Sequence, residues 1–106
     1  MKFRGGMDEL LRQASRMQRK IERRKEELKD EKFDATSGGD KVKATVNGGG
    51  EVVAVEVDPA LLQSEGLPMV QDLIVAAINA ALAKSKQVIE AEVDKETGGL
   101  KIPGLF

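Results

Sequence analysis

Apolar residues in this chain recur at two different periods, and the switch between them limits the possible folds more than any single motif. Met7, Leu10, Ala14, Met17, Ile21 and Leu28 occupy a and d positions of a heptad, with Leu11 alongside. That spacing predicts a long amphipathic helix with a narrow apolar seam. Arg24 interrupts the seam at a d position, so a partner helix is expected along only part of its length. Asp8 with Arg12, and Arg23 with Glu27, stand four residues apart and are expected to pair on the outer surface.

From Val42 the period becomes two. Val42, Ala44 and Val46 alternate with Lys41, Lys43, Thr45 and Asn47, and Val53, Val55 and Val57 alternate with Val52, Ala54 and Glu56. Between them Asn47-Gly48-Gly49-Gly50 supplies a turn, giving a hairpin. Phe33 to Thr36, before the turn cluster Ser37-Gly38-Gly39-Asp40, adds a short strand. Asp58-Pro59 reads as an N-cap followed by the first position of a helical turn through Leu62, which Gly66 interrupts.

From Pro68 a second long helix carries Val70, Leu73, Ile74, Ala77, Ile78, Ala81, Leu82, Val88 and Ile89 on a broad apolar face. Lys84, Lys86, Glu90, Glu92 and Asp94 are left for water. The fold class expected is α+β: a long N-terminal helix, a short antiparallel three-stranded sheet with a central hairpin, and a long C-terminal helix. One domain covers 1–106, divided into a helical arm (1–32), an α/β body (33–96) and an irregular tail (97–106). Val52, Ala54 and the helix from Val70 to Ile89 offer more apolar surface than one protomer covers, so the body is expected to dimerise.

Charge separates along the chain. Residues 1–32 hold eleven Lys and Arg against seven Asp and Glu, while residues 33–106 hold six against eleven. A polyanion responds to the local field within about a Debye length, so the +4 of the first segment outweighs the near-neutral total. Arg12, Arg16, Arg19 and Arg23 follow i, i+4, i+7, i+11 spacing and form one stripe roughly 16 Å long on a helix. With Lys20 and Arg24 they make six candidate phosphate ligands, and Lys2 and Arg4 are two more. Glu22, Glu26, Glu27, Asp30 and Glu31 crowd the end of the helix, so the basic surface is expected to fade toward Lys32.

Other chemistries lack their residues. Without His or Cys the usual neutral-pH base, zinc ligands and cysteine nucleophiles are missing, and no metal, cofactor, catalytic residue or small-molecule substrate is expected. The glycine clusters are not followed by the Lys-Ser/Thr of a P-loop. Trp and Tyr are absent, which argues against base stacking and favours the backbone of a duplex. The opening residues lack the apolar core of a signal peptide, and the longest unbroken apolar run, Leu73 to Ile78, is too short to span a bilayer, so a cytoplasmic chain without a membrane partner is expected. A helix-mediated protein-interaction adaptor, with the seam as docking face and the arginines as rim pairs, is the competing reading.

The order of elements and several strings resemble the YbaB/EbfC family of bacterial nucleoid-associated proteins. The likeness rests on the Gly-rich start before Met7, Gln13-Ala14 and Met17-Gln18, and Val46-Asn47-Gly48-Gly49-Gly50-Glu51-Val52. It continues through Val57-Asp58-Pro59-Ala60-Leu61-Leu62, the stretch Asp72-Leu73 to Ala80-Ala81, and Gly98-Gly99-Leu100-Lys101-Ile102-Pro103-Gly104. The resemblance implies a tweezer-like homodimer that binds double-stranded DNA in the nucleoid and affects its conformation and gene expression. Asn47-Gly48 and Asp58-Pro59 read as turn and cap, and the DNA-contacting assignment rests on charge.

Overall fold

Half-buried alternation in the middle of the chain produces three strands, and the two helical patterns flank them. In the computed structural model, which describes residues 2–98 and their side chains from Gly6 onward, the order is α1 (Lys2–Leu28), β1 (Lys32–Ser37), β2 (Val42–Asn47), β3 (Val52–Val57), α2 (Pro59–Glu65) and α3 (Leu67–Glu96). The sheet is antiparallel throughout, in the order β1-β2-β3.

Val42, Ala44 and Val46 are fully buried on the face of β2 that meets α3. Phe33 from β1, Leu61 from α2, and Val70, Ala77 and Ala81 from α3 complete that core. The unbroken run Leu73–Ile78 understates α3, which by length and composition is apolar enough to cross a membrane. In the fold its inner face covers the sheet, as the core helix of an α+β body does. Asp58 caps α2 as expected, its carboxylate accepting from the Ala60 N–H at 3.0 Å, although α2 runs on to Glu65.

The hairpin departs from simple alternation. Thr45 pairs with Ala54 but Val46 pairs with Val52, so Val53 is an extra residue in β3. This β-bulge puts Val52, instead of Val53, on the face of Val46. A valine-rich run conceals the shift, because either register looks apolar. Only Val57 of β3 packs against the core; Val52, Val53 and Val55 remain 48%, 46% and 38% exposed.

The same hairpin turn fastens α1 to the body. Gly48 N–H donates to the Glu31 carbonyl at 2.9 Å and Gly49 N–H to the Lys29 carbonyl at 3.2 Å, while Ser85 Oγ on α3 donates to the Asn47 carbonyl at 3.3 Å. A Cβ on Gly48 would run into the carbonyl of Leu28. Close approach therefore requires glycine here. At Gly38, φ is +60° and an added Cβ would sit 2.9 Å from Leu73 Cδ1, so the first turn is also closed down on α3.

α1 begins at Lys2 and runs through Gly5-Gly6, earlier than the apolar pattern starting at Met7 suggests. Each interior glycine costs a helix roughly 1 kcal/mol, which a long helix tolerates near its end. Residues 99–106, including most of the segment expected to be irregular, lie outside the described residues.

Candidate nucleic-acid interface

α1 is 27 residues long, about 40 Å at 1.5 Å per residue. Only its second half is packed. Ile21 and Leu28 are buried and Met17 is half-buried, with Val93 of α3 fully buried nearby in sequence to the ion pair that links the helices. The two helices run in opposite directions, with Arg24 bonded to Glu92 and Lys20 lining one depression with Glu96. Before Met17 the seam continues without cover: Met7, Leu10 and Leu11 are 59%, 62% and 60% exposed. The helix thus leaves the body as an arm, in a molecule whose extents are 76 × 20 × 16 Å.

On a helix of 3.6 residues per turn, Arg12, Arg16, Arg19 and Arg23 lie on the side opposite that seam, and all four are exposed. Among the described residues, Arg12, Lys20 and Arg23 have no ion-pair partner. The expected Asp8–Arg12 and Arg23–Glu27 pairs do not form; Glu27 is taken by Arg24 at 3.0 Å. Arg16 meets Glu9 at 3.3 Å with both side chains more than half exposed. Exposed pairs of this kind measure less than about 1 kcal/mol, so a phosphate can displace Glu9. Arg19 Nε donates to the Ser15 carbonyl at 3.4 Å, leaving its remaining donors outward. Glu9, Arg12, Arg16 and Arg19 line one open depression, without a closed cavity.

Arg24 stands apart from this stripe. It points toward α3, where it donates to Glu92 at 2.8 Å and to Glu27 at 3.0 Å, and only 30% of its side chain is exposed. The bonds to Glu92 and then Glu27 raise its pKa above the ordinary arginine value. In turn, hydrogen bonds from Arg24 and Lys95 hold the Glu92 carboxylate below its ordinary range. Arg24 therefore acts in this structure as an interhelix clasp. Glu92, assigned to water on sequence grounds, is its partner; the signal was available in the arginine at a d position, which requires a carboxylate on the facing helix. Lys2 and Arg4 fall in the first turns of α1, but their side chains lie outside the described ones.

On the body, Thr45 Oγ1 donates to Asp34 at 2.8 Å and Lys43 lies 3.6 Å from it, which together lower the Asp34 pKa. Lys84 Nζ donates to the Asp34 carbonyl at 3.2 Å. Two body lysines are thus turned toward their own sheet, unlike the stripe on α1.

Comparison with known proteins agrees with this architecture. Residues 3–100 match the model of the YbaB/EbfC DNA-binding family. A nucleoid-associated protein of Pelotomaculum thermopropionicum is 42% identical over 102 residues, covering 96% of this chain and 97% of its own. One from Thermoanaerobacter sp. is 42% identical over 106 residues, covering 98% and 96%. The crystal structure of an uncharacterized protein from Helicobacter pylori superposes with a TM-score of 0.62 at 24% identity, over 74% of this chain and 90% of that one, and supports the fold.

Proposed function

The chain belongs to the YbaB/EbfC DNA-binding family, and from that premise we propose that it is a nucleoid-associated protein that grips double-stranded DNA as a homodimer through phosphate contacts from α1. The exposed cationic face of the protruding arm, where Arg16 has only a solvent-exposed ion pair and Arg12 and Arg23 have none among the described residues, carries this reading. A duplex presents one negative charge per about 1.7 Å of axis, so a stripe roughly 16 Å long meets several phosphates. Arg12, Arg16, Arg19, Lys20 and Arg23 form the gripping set, with Lys2 and Arg4 extending it. Arg24 contributes by holding the arm's root. Without Trp or Tyr, selectivity comes from duplex shape, and binding affects DNA conformation, nucleoid organisation and gene expression.

Dimerisation supplies the second arm. Uncovered Val52, Val53 and Val55 on β3, with Leu67, Met69 and Val75 around α3, give a second copy an apolar surface to cover. Sedimentation at micromolar concentration should give a dimer, and Val55→Asp with Val75→Asp should give monomers. A monomeric native chain would remove the two-armed mechanism.

Gel shifts with duplex DNA, duplex RNA and single strands across a salt series test the partner class. Duplex DNA should bind with log affinity falling against log salt by about 0.9 per phosphate contact, and Arg16→Gln or Arg19→Gln should reduce the slope by about one. Exposed Met7, Leu10 and Leu11 favour the adaptor reading as an alternative. If the arginine variants bind duplex unchanged, that alternative replaces this one.

A further inference from the structure

The depression on the cationic face of the arm has one acidic wall. Arg12, Arg16 and Arg19 line it together with Glu9, whose Oε1 lies 3.3 Å from Arg16 Nη2. We propose that Glu9 is a built-in competitor for phosphate: it occupies Arg16 in the free protein and must be displaced before the arm grips a duplex, so it holds affinity down. This deepens the reading of α1 as the DNA-gripping element and rests on it.

Three observations support it. First, the pair is not the one that helix spacing favours. Side chains three or four residues apart are neighbours on a helix, and Arg12 stands three residues after Glu9, yet Glu9 passes it over for Arg16, seven residues on. Two helical turns separate these positions by about 10.5 Å along the axis, so both side chains must extend toward each other across the ground where a phosphate would sit. Second, the contact is exchangeable. With the two side chains 58% and 52% exposed, such a pair shifts an equilibrium by about fivefold at most, enough to tune binding and too little to prevent it. Third, Glu9 is the one carboxylate among the residues lining that depression. Asp8, its neighbour in sequence, lies about 100° around the helix and has no ion-pair partner among the described residues.

Such a competitor has a signature in salt. Added ions weaken the internal pair as well as the contact with DNA, so the restraint is greatest at low ionic strength.

Fluorescence anisotropy with a short duplex, followed across a salt series, tests this. At low salt Glu9→Gln should tighten binding about two- to fivefold, and the gain should shrink as salt rises. In an Arg16→Gln background the same substitution should lose most of that gain. Glu9→Asp keeps the charge but shortens the side chain by one bond of about 1.5 Å, so it too should tighten binding, which plain repulsion between carboxylate and phosphate would not produce. Asp8→Asn should give a smaller gain that is the same with and without Arg16. In the free protein, phenylglyoxal should label Arg16 about twofold faster or more in Glu9→Gln, with Arg12 changed less. No gain from Glu9→Gln, an equal gain with and without Arg16, or Glu9→Asp binding as the native chain does would overturn the proposal and leave the duplex grip standing. Arg16 labelling that quickens while neither the native chain nor any variant binds duplex would overturn the grip itself, and the competitor with it.

Discussion

The two halves of α1 carry the same heptad pattern yet meet different surroundings. From Met17 to Leu28 the seam is buried against the body; from Met7 to Ala14 the same spacing faces outward. Periodicity records which side of a helix wants burial, and it is silent on what lies opposite. Here the length of α3 decides the matter: it ends at Glu96, level with Met17 and Lys20, and α1 continues beyond it. Charge follows the face of the helix: Arg24, turned to α3, is paired with Glu92, whereas Arg12 and Arg23 on the opposite face have no ion-pair partner among the described residues.

The contrast can be broken most sharply at the buried seam. Ile21→Ala, at a site 2% exposed, should cost about 2–5 kcal/mol in urea denaturation. Leu10→Ala, at a site 62% exposed, should cost about 1 kcal/mol or less. Similar losses at both sites would mean that the outer half is packed as tightly as the inner.

Gly48→Ala comes next. Its Cβ must displace the Leu28 carbonyl and the end of α1, an overpacking expected to cost about 1–3 kcal/mol. Crosspeaks of residues at the α1–α3 contact should shift with it, whereas Gly39→Ala, where no atom lies within 4 Å, should leave that contact in place despite its positive φ.

Acid should act on the clasp and spare the free arm. Glu92 has its pKa lowered in the folded chain, so its contribution is complete above the ordinary value of 4.5 and is lost as pH falls through the lower folded value. Amide exchange around Arg24 should therefore quicken on acidification below about pH 4.5. Glu92→Gln should remove that part of the pH dependence while leaving the part due to Asp34, whose pKa is also lowered, by Thr45 and Lys43. The smallest effect is expected at Gly6, which sits in α1 with open space around it: Gly6→Ala should raise helicity and stabilise the arm by about 0.4–1 kcal/mol.

Much of this is legible in the sequence itself. The seam, the three strands, the Asp58 cap and the cationic stripe are all local patterns, and each appears where spacing puts it. What stayed hidden depended on long-range matching. The bulge at Val53 lies in a run of valines that satisfies either register. The approach of Gly48 to Leu28 depends on where α1 ends relative to a hairpin almost twenty residues later. Arg24 interrupts the seam in the sequence, but its carboxylate partner lies 68 residues away and is fixed only by the position of α3.

In the proposed function, position along the arm, and not total charge, creates the DNA-binding surface. Two variants with equal loss of charge test it: Arg12, Arg16, Arg19 and Arg23 all changed to Gln, and Lys41, Lys84, Lys86 and Lys95 all changed to Gln. Measured against duplex DNA across a salt series, the arm variant should lose affinity and flatten its slope by about 0.9 for each phosphate contact removed, while the body variant keeps a slope close to the native one. Equal losses in the two variants, or an arm variant that binds as the native protein does, would contradict the account.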